Sequence, residues 1–124
     1  MSADLTVNLG ERSYAIAFGE DLAASIRARV DQLEAGGRRV AVLTDTNFAR
    51  AQAAAMAAMF GSAPVLAVEP GEGTKSLEGL GRVLDFLAQH RLDRGGVLFA
   101  VGGGVIGDLG GFAAATWLRG IEFY

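Results

Sequence analysis

The chain contains no cysteine and one histidine, His90, among its 124 residues. The first absence excludes disulfides and cysteine-based zinc sites, and it is compatible with a cytoplasmic location, which is the expectation here. A single histidine cannot build a histidine-rich metal site from one copy of the chain. No long basic run interrupts a net charge of −3, which argues against nucleic acid or an anionic membrane as the main partner. No apolar run is long enough to span a bilayer, and the start Met1-Ser2-Ala3-Asp4 does not read as a secretory signal. Solenoid repeats and low-complexity linkers are also missing. What remains is a chain that is 51% hydrophobic, with 18 glycines. That is enough for one domain, residues 1–124, with a real core.

Near the N-terminus Leu5, Val7 and Leu9 alternate with polar residues, and Tyr14, Ile16 and Phe18 alternate with small ones. Gly10-Glu11-Arg12-Ser13 lies between them. The pattern predicts a hairpin with one buried face. Asp21 can cap a helix in which Leu22, Ile26, Val30 and Leu33 share a side and Gly36-Gly37 ends the run. Arg39–Thr44 reads as a buried strand, followed from Asp45-Thr46-Asn47 by an alanine-rich helix to about Phe60. Pro64–Val68 is the next strand, and Leu77, Leu80, Val83, Leu84 and Leu87 make a helical stripe that belongs to the core. His90 sits where that helix stops, as a surface residue. Gly96–Val101 is a further strand, the segment after Asp108 is a packed helix ended by Gly120, and Ile121–Tyr124 begins one more strand. Such alternation predicts parallel strands with right-handed crossovers and flanking helices, a Rossmann-like α/β sheet preceded by a hairpin.

Three strand-to-helix turns carry polar residues or glycine, and in a parallel sheet all three open on one edge. The richest is Gly102-Gly103-Gly104-Val105-Ile106-Gly107-Asp108, in which Gly102, Gly104 and Gly107 fit G-x-G-x-x-G. Without Cβ atoms the backbone can approach an anion closely, and a helix N-terminus offers free N–H groups. Asp108 reads equally as a first-turn carboxylate favoured by the helix dipole and as an acceptor for a sugar or ring hydroxyl. Asp45 or Thr46 reads as an N-cap, with the alternative that Asp45 or Asn47 reaches a ribose hydroxyl. Gly71-Glu72-Gly73-Thr74-Lys75-Ser76 is not a P-loop, because Thr74 precedes the lysine and the upstream glycine is misplaced. Glu72 and Lys75 could still serve a sugar hydroxyl and a phosphate. Glu122 lies about where a Rossmann acid is sought, yet Asp45 is the better ribose candidate.

Pro70-Gly71-Glu72-Gly73-Thr74-Lys75-Ser76-Leu77-Glu78, then Leu92-Asp93-Arg94, then Gly102–Thr116 and Arg119-Gly120 resemble the 3-dehydroquinate synthase family. The likeness covers nearly the whole chain in order and spacing. Asp108 and the Gly-Phe-Ala-Ala stretch at Gly111–Ala114 favour this family over related sugar-phosphate cyclases such as 2-deoxy-scyllo-inosose synthase. Iron-dependent alcohol and glycerol dehydrogenases usually carry an Ala-Lys pair where Leu109-Gly110 stands. The resemblance implies NAD as cofactor and a sugar phosphate as substrate. The implied reaction converts 3-deoxy-D-arabino-heptulosonate 7-phosphate to 3-dehydroquinate and phosphate, in the shikimate route to aromatic amino acids. It implies adenosine contacts at Asp45 and Asn47, and ribose or phosphate contacts at Gly71, Glu72 and Lys75. It also implies pyrophosphate contacts at Gly103, Gly104, Val105, Ile106 and Gly107, and a place for Asp108 beside nicotinamide and substrate, where it is the one candidate catalytic residue. Arg119 would reach the substrate phosphate of the neighbouring subunit in a homodimer. The family's zinc or cobalt ligands, a glutamate and two histidines, belong to a C-terminal helical domain with no counterpart here. The expectation is an N-terminal NAD-binding domain that is inactive alone, holds no catalytic metal and binds NAD weakly. A free-standing nucleotide-binding module and the NAD domain of a metal-dependent polyol dehydrogenase are the alternatives.

Overall fold

The computed structural model describes residues 3–19 and 22–124. Asp21, the expected helix cap, lies outside the described residues. Strands β1 (Ala3–Val7) and β2 (Tyr14–Phe18) form the antiparallel hairpin, joined through a single turn of 3-10 helix at Gly10–Arg12. The expectation of a buried face is overturned. Leu5 is 52% exposed and Phe18 52%, and only Val7 is half-buried. Two strands alone make too little surface to cover one another, and no helix among the described residues lies over their apolar side.

Helix α1 (Ala23–Ala35) buries Val30 and Leu33 and ends at Gly36, with Gly37 at φ 79°. Strand β3 (Val40–Asp45) follows. The alanine-rich segment is two helices, α2 (Thr46–Ala51) and α3 (Ala53–Phe60), because Gln52 at φ −120°, ψ 34° breaks the helical path. Strand β4 (Val65–Val68), helix α4 (Leu77–Gln89), strand β5 (Val97–Val101) and helix α5 (Gly104–Thr116) come next. Gly120, at φ 115°, ends a 3-10 turn at Trp117–Arg119 rather than α5 itself. Strand β6 (Glu122–Phe123) closes the series.

The four strands β4-β3-β5-β6 pair in that order, all parallel. Side chains alternate across each strand, so β3 feeds two cores. Val40 and Val42 pack with α1 and α3 around Phe60, Val97 and Phe99. Ala41 and Leu43 pack with α4 and α5 around Val83, Leu87, Leu98 and Ile106. Strands buried on both faces read as continuous apolar runs, which is how Val40–Leu43 reads. Helix α5 lies close on the sheet at Gly110, where a Cβ would come within 3.0 Å of the Ala100 Cβ and 3.1 Å of the Phe123 ring.

The chain leaves β3 by helices on one face and β5 by a helix on the other. The strand order therefore reverses between β3 and β5, and a crevice opens there at their C-terminal ends.

Candidate functional site

Strands β3 and β5 run in register, with Thr44 opposite Val101. Thr44 is fully buried, and its hydroxyl donates to the Val101 carbonyl at 2.7 Å. That bond ties the strand ends together just below the crevice. The next residues, Asp45 and Gly102, then face each other across it. Gly102 has φ 150°, and a Cβ there would sit 3.3 Å from Asp45 Oδ2 and 3.2 Å from the Ile106 side chain. Only glycine fits this approach without strain.

The N-cap reading of Asp45 holds. Its Oδ1 accepts from the Phe48 N–H at 2.7 Å, so it is the N-cap of α2. Its side chain also lines a cavity of about 160 Å³ together with Pro70, Gly71, Gly103, Gly104, Val105 and Ile106. Helix α5 begins at Gly104, five residues before Leu109, so Val105, Ile106 and Gly107 form its first turn and Asp108 falls in the second. The first-turn reading of Asp108 is corrected accordingly. Gly103 caps the helix without a side chain, and the first intrahelical donor is Gly107 N–H, to the Gly103 carbonyl at 3.1 Å. The amides of Gly104, Val105 and Ile106 are left without helical acceptors at the positive end of the helix dipole. A Cβ on Gly103 or Gly104 would meet nothing within 4 Å, so the backbone is open on that side. The Ile106 side chain is buried in the core, leaving only its backbone to the cavity.

The second turn, Gly71–Lys75, is held over the first. Gly71 takes φ 106°, and Glu72–Thr74 make one 3-10 turn. Ser76 Oγ caps α4 by accepting the Gly79 N–H at 3.1 Å. Gly79 was not anticipated, and it is decisive for the loop. A Cβ there would stand 1.9 Å from the Thr74 carbonyl oxygen. The sequence signal was a glycine in the first turn of an otherwise good helix, where it costs stability without a packing reason.

Lys75 joins the two turns. Its Nζ lies 3.1 Å from Asp108 Oδ2 and 3.7 Å from Glu72 Oε2. The hydrogen bond to Asp108, followed by the charge of Glu72, raises the lysine above its ordinary pKa. Lys75, Asp108, Ser76, Leu77, Leu80, Leu109 and Phe112 enclose a second cavity of about 330 Å³. Its outer wall is apolar and uncovered, with Leu77 87% and Phe112 62% exposed.

Of the residues singled out from sequence, Asp45, Gly71, Gly103, Gly104, Val105 and Ile106 meet at one cavity, and Lys75 and Asp108 at the other. Gly107 is exposed in the first turn of α5, and Glu72 is exposed beside Lys75. Asn47 is exposed on α2 and lines neither cavity. Arg119 is exposed beyond the far end of α5, about 20 Å along a 13-residue helix from its N-terminus. His90 is exposed next to Phe86, edge-on at 4.9 Å, away from both cavities.

Known proteins resemble the chain in sequence and in fold. Residues 65–124 match the family model described as 3-dehydroquinate synthase N-terminal. The chain is 57% identical over its whole length to the 3-dehydroquinate synthase of Opitutus terrae, of which it covers 34%. Two solved structures of 2-deoxy-scyllo-inosose synthase superpose on 98% of the chain. One has a TM-score of 0.80 at 25% identity over 35% of its own length. The other, complexed with carbaglucose-6-phosphate, NAD+ and Co2+, has a TM-score of 0.74 at 23% identity over 34% of its length. The chain thus spans about a third of the length of the curated relatives it matches. Identity along the full chain, the matched family model and the shared fold make the chain similar to the N-terminal portion of 3-dehydroquinate synthases.

Proposed function

We propose that residues 1–124 are the NAD-binding domain of a 3-dehydroquinate synthase acting on a sugar phosphate. The observation that carries this reading is the cavity shared by Asp45, Gly71 and the free amides at the start of α5. A pyrophosphate carries diffuse negative charge and many acceptor oxygens. Donor amides with no opposing side chain fit it, and glycine at Gly103 and Gly104 leaves room for close approach. Asp45 Oδ2 stands free of the capping bond and fits a ribose hydroxyl, with Gly71 on the same cavity and Asn47 two residues further along the chain on α2. The larger cavity, with an apolar wall and the Lys75–Asp108 pair, fits the nicotinamide ring and the reacting end of the substrate.

NAD supplies reversible oxidation of a ring hydroxyl when bound. The residues of this chain hold and orient it. The α5 amides fix the pyrophosphate, Lys75 offers charge to a phosphate or ribose oxygen, and Glu72 accepts from a ribose hydroxyl. Asp108 is set to accept a hydrogen bond from a carboxamide or a ring hydroxyl, which makes it the candidate catalytic residue. Arg119 is set apart by backbone geometry, with Leu118 at φ 48° and Arg119 at φ 69°, both left-handed. Its exposed guanidinium fits contact with the substrate phosphate in the neighbouring subunit of a homodimer. Zinc or cobalt, in this proposal, is held by residues beyond those of this chain. A cytoplasmic location belongs to the same reading. The 124 residues alone neither turn over substrate nor bind a catalytic metal, and NAD binds them weakly because half of its enclosure is missing.

The test is a titration of the chain with NAD to millimolar concentration, followed by amide NMR. Shifts confined to Asp45, Gly71 and Gly103–Gly107, lost in Gly104→Val, support the proposal. Silence of those amides at saturation, or turnover proportional to the concentration of the chain alone, overturns it.

A further inference from the structure

Helix α5 hands the chain to β6 through three consecutive residues with positive φ: Leu118 at 48°, Arg119 at 69° and Gly120 at 115°. Only the last is glycine. A side chain in the left-handed region crowds its own backbone. Such residues persist where their surroundings dictate the conformation, and they gather at functional sites. Leu118 and Arg119 do not supply that constraint themselves. Both are exposed, and the Arg119 side chain has no hydrogen-bond or ion-pair partner among the described residues. The two ends of the turn are held instead. The Gly120 N–H donates to the Trp117 carbonyl at 2.8 Å, and the Ile121 N–H to the Ala114 carbonyl at 2.8 Å. Trp117 is fastened to a different part of the fold. Its indole Nε1–H donates to the Leu92 carbonyl at 3.0 Å, and its ring packs against the core that contains Leu92. Leu92 follows Arg91, another left-handed residue at φ 56°, in the connection between α4 and β5. The start of the Leu118–Gly120 turn is thus tied to a loop 25 residues away in the chain.

We propose that Trp117 is a positioning residue for Arg119. Through its bond to the Leu92 carbonyl it holds the left-handed turn and fixes the backbone from which the guanidinium extends. What the guanidinium meets, a substrate phosphate in the neighbouring subunit, rests on the proposed function. The strained turn does not. Glycine at position 119 would adopt φ 69° without crowding. An arginine there costs stability, and its charge rather than the fold accounts for it.

The chain has one tryptophan, so its indole N–H gives a single NMR resonance. That proton should exchange slowly with solvent, as a bonded donor does. Exchange at the rate of free indole overturns the proposal. Trp117→Phe keeps an aromatic ring and removes the donor. It should move the backbone shifts and HN–Hα couplings of Leu118 and Arg119 toward averaged values, with the amides of Gly103–Gly107 unmoved. Couplings that remain those of a left-handed turn overturn the proposal. Arg119→Gly gives a reading that needs no weakened variant. It should raise the folding equilibrium constant about fivefold in chemical denaturation. The gain should be smaller in the Trp117→Phe background, where the turn is already relaxed. No gain in the parent, or equal gains in the two backgrounds, overturns the proposal. None of these readouts involves NAD or phosphate. Failure of the NAD titration described above would remove the proposed function and leave these outcomes as they are.

Discussion

The β1–β2 hairpin and the β3–β5 strand pair are built from similar residues and meet opposite fates. Leu43 and Leu98 are fully buried between helices on both faces of a sheet, whereas Leu5 is half exposed on a free-standing ribbon. Hydrophobic pattern sets which side of a strand is apolar, and the layer above decides whether that side is covered. The sheet carries the stability and the hairpin carries an unpaired surface.

The largest effect should come from cutting the covered region. Leu98→Ala should cost about 3 kcal/mol in chemical denaturation, since its cavity lies between α4, α5 and the sheet. A cost near zero would mean the two regions do not differ as described. Gly79→Ala comes next, at about 2 kcal/mol, because its Cβ forces the Thr74 carbonyl from a 1.9 Å overlap. It should also move the amide signals of Gly71–Lys75 while leaving those of the hairpin unchanged. Thr44→Val removes the 2.7 Å bond to the Val101 carbonyl. It should cost about 1 kcal/mol and loosen hydrogen exchange at Asp45 and Gly102.

Edge strand β6 lies between the two extremes. Arg38 and Arg29 reach Glu122 at 3.2 and 3.4 Å, and Arg29 Nε donates to the Tyr124 hydroxyl at 2.9 Å. Burial pulls the Glu122 carboxyl up, but hydrogen bonds from Tyr124 and Arg38 and the charges of the two arginines outweigh it. The net result is a pKa below the ordinary value of 4.5. A carboxyl depressed in the folded state stabilises above its unfolded pKa, and that stabilisation is lost as the pH falls through the folded value. Glu122→Gln should therefore cost less than about 1 kcal/mol near neutrality, as expected of a half-exposed pair. The difference from the parent in exchange at the Tyr124 and Ala100 amides should fade as the pH falls below 4.5 and vanish once it has passed the lowered folded-state value. A difference that persists in acid would remove the ion pairs from the account. The smallest effect is Leu5→Ala, below about 0.5 kcal/mol in dilute solution, where the hairpin stands alone.

Most residues of the candidate site stood out before the fold. Glycine at Gly102 to Gly104 after an apolar run points to a backbone approached closely, and the paired turn at Gly71–Lys75 points to the same edge. Gly79 was legible only as a glycine out of place in a helix; its role, room for the Thr74 carbonyl, is not encoded in the local pattern. Asn47 was grouped with Asp45 because both follow the C-terminal end of a strand; on α2 it is exposed and does not line the cavity that Asp45 lines. The single alanine-rich helix failed for a related reason. Alanine propagates a helix wherever it can, and the break at Gln52, at φ −120° and ψ 34°, has no counterpart in the residue pattern.

By itself the amino-acid sequence determined the order of elements, the period of each, and the kind of chemistry its glycine turns could host. These follow from local stereochemistry, since residue type alone constrains backbone angle and side-chain direction. Tertiary structure decided which turns meet, that α5 begins at Gly104, and that the apolar side of the hairpin stays uncovered. Those outcomes depend on strand order and on which layer lies above each face, and both are set by contacts between residues far apart in the chain.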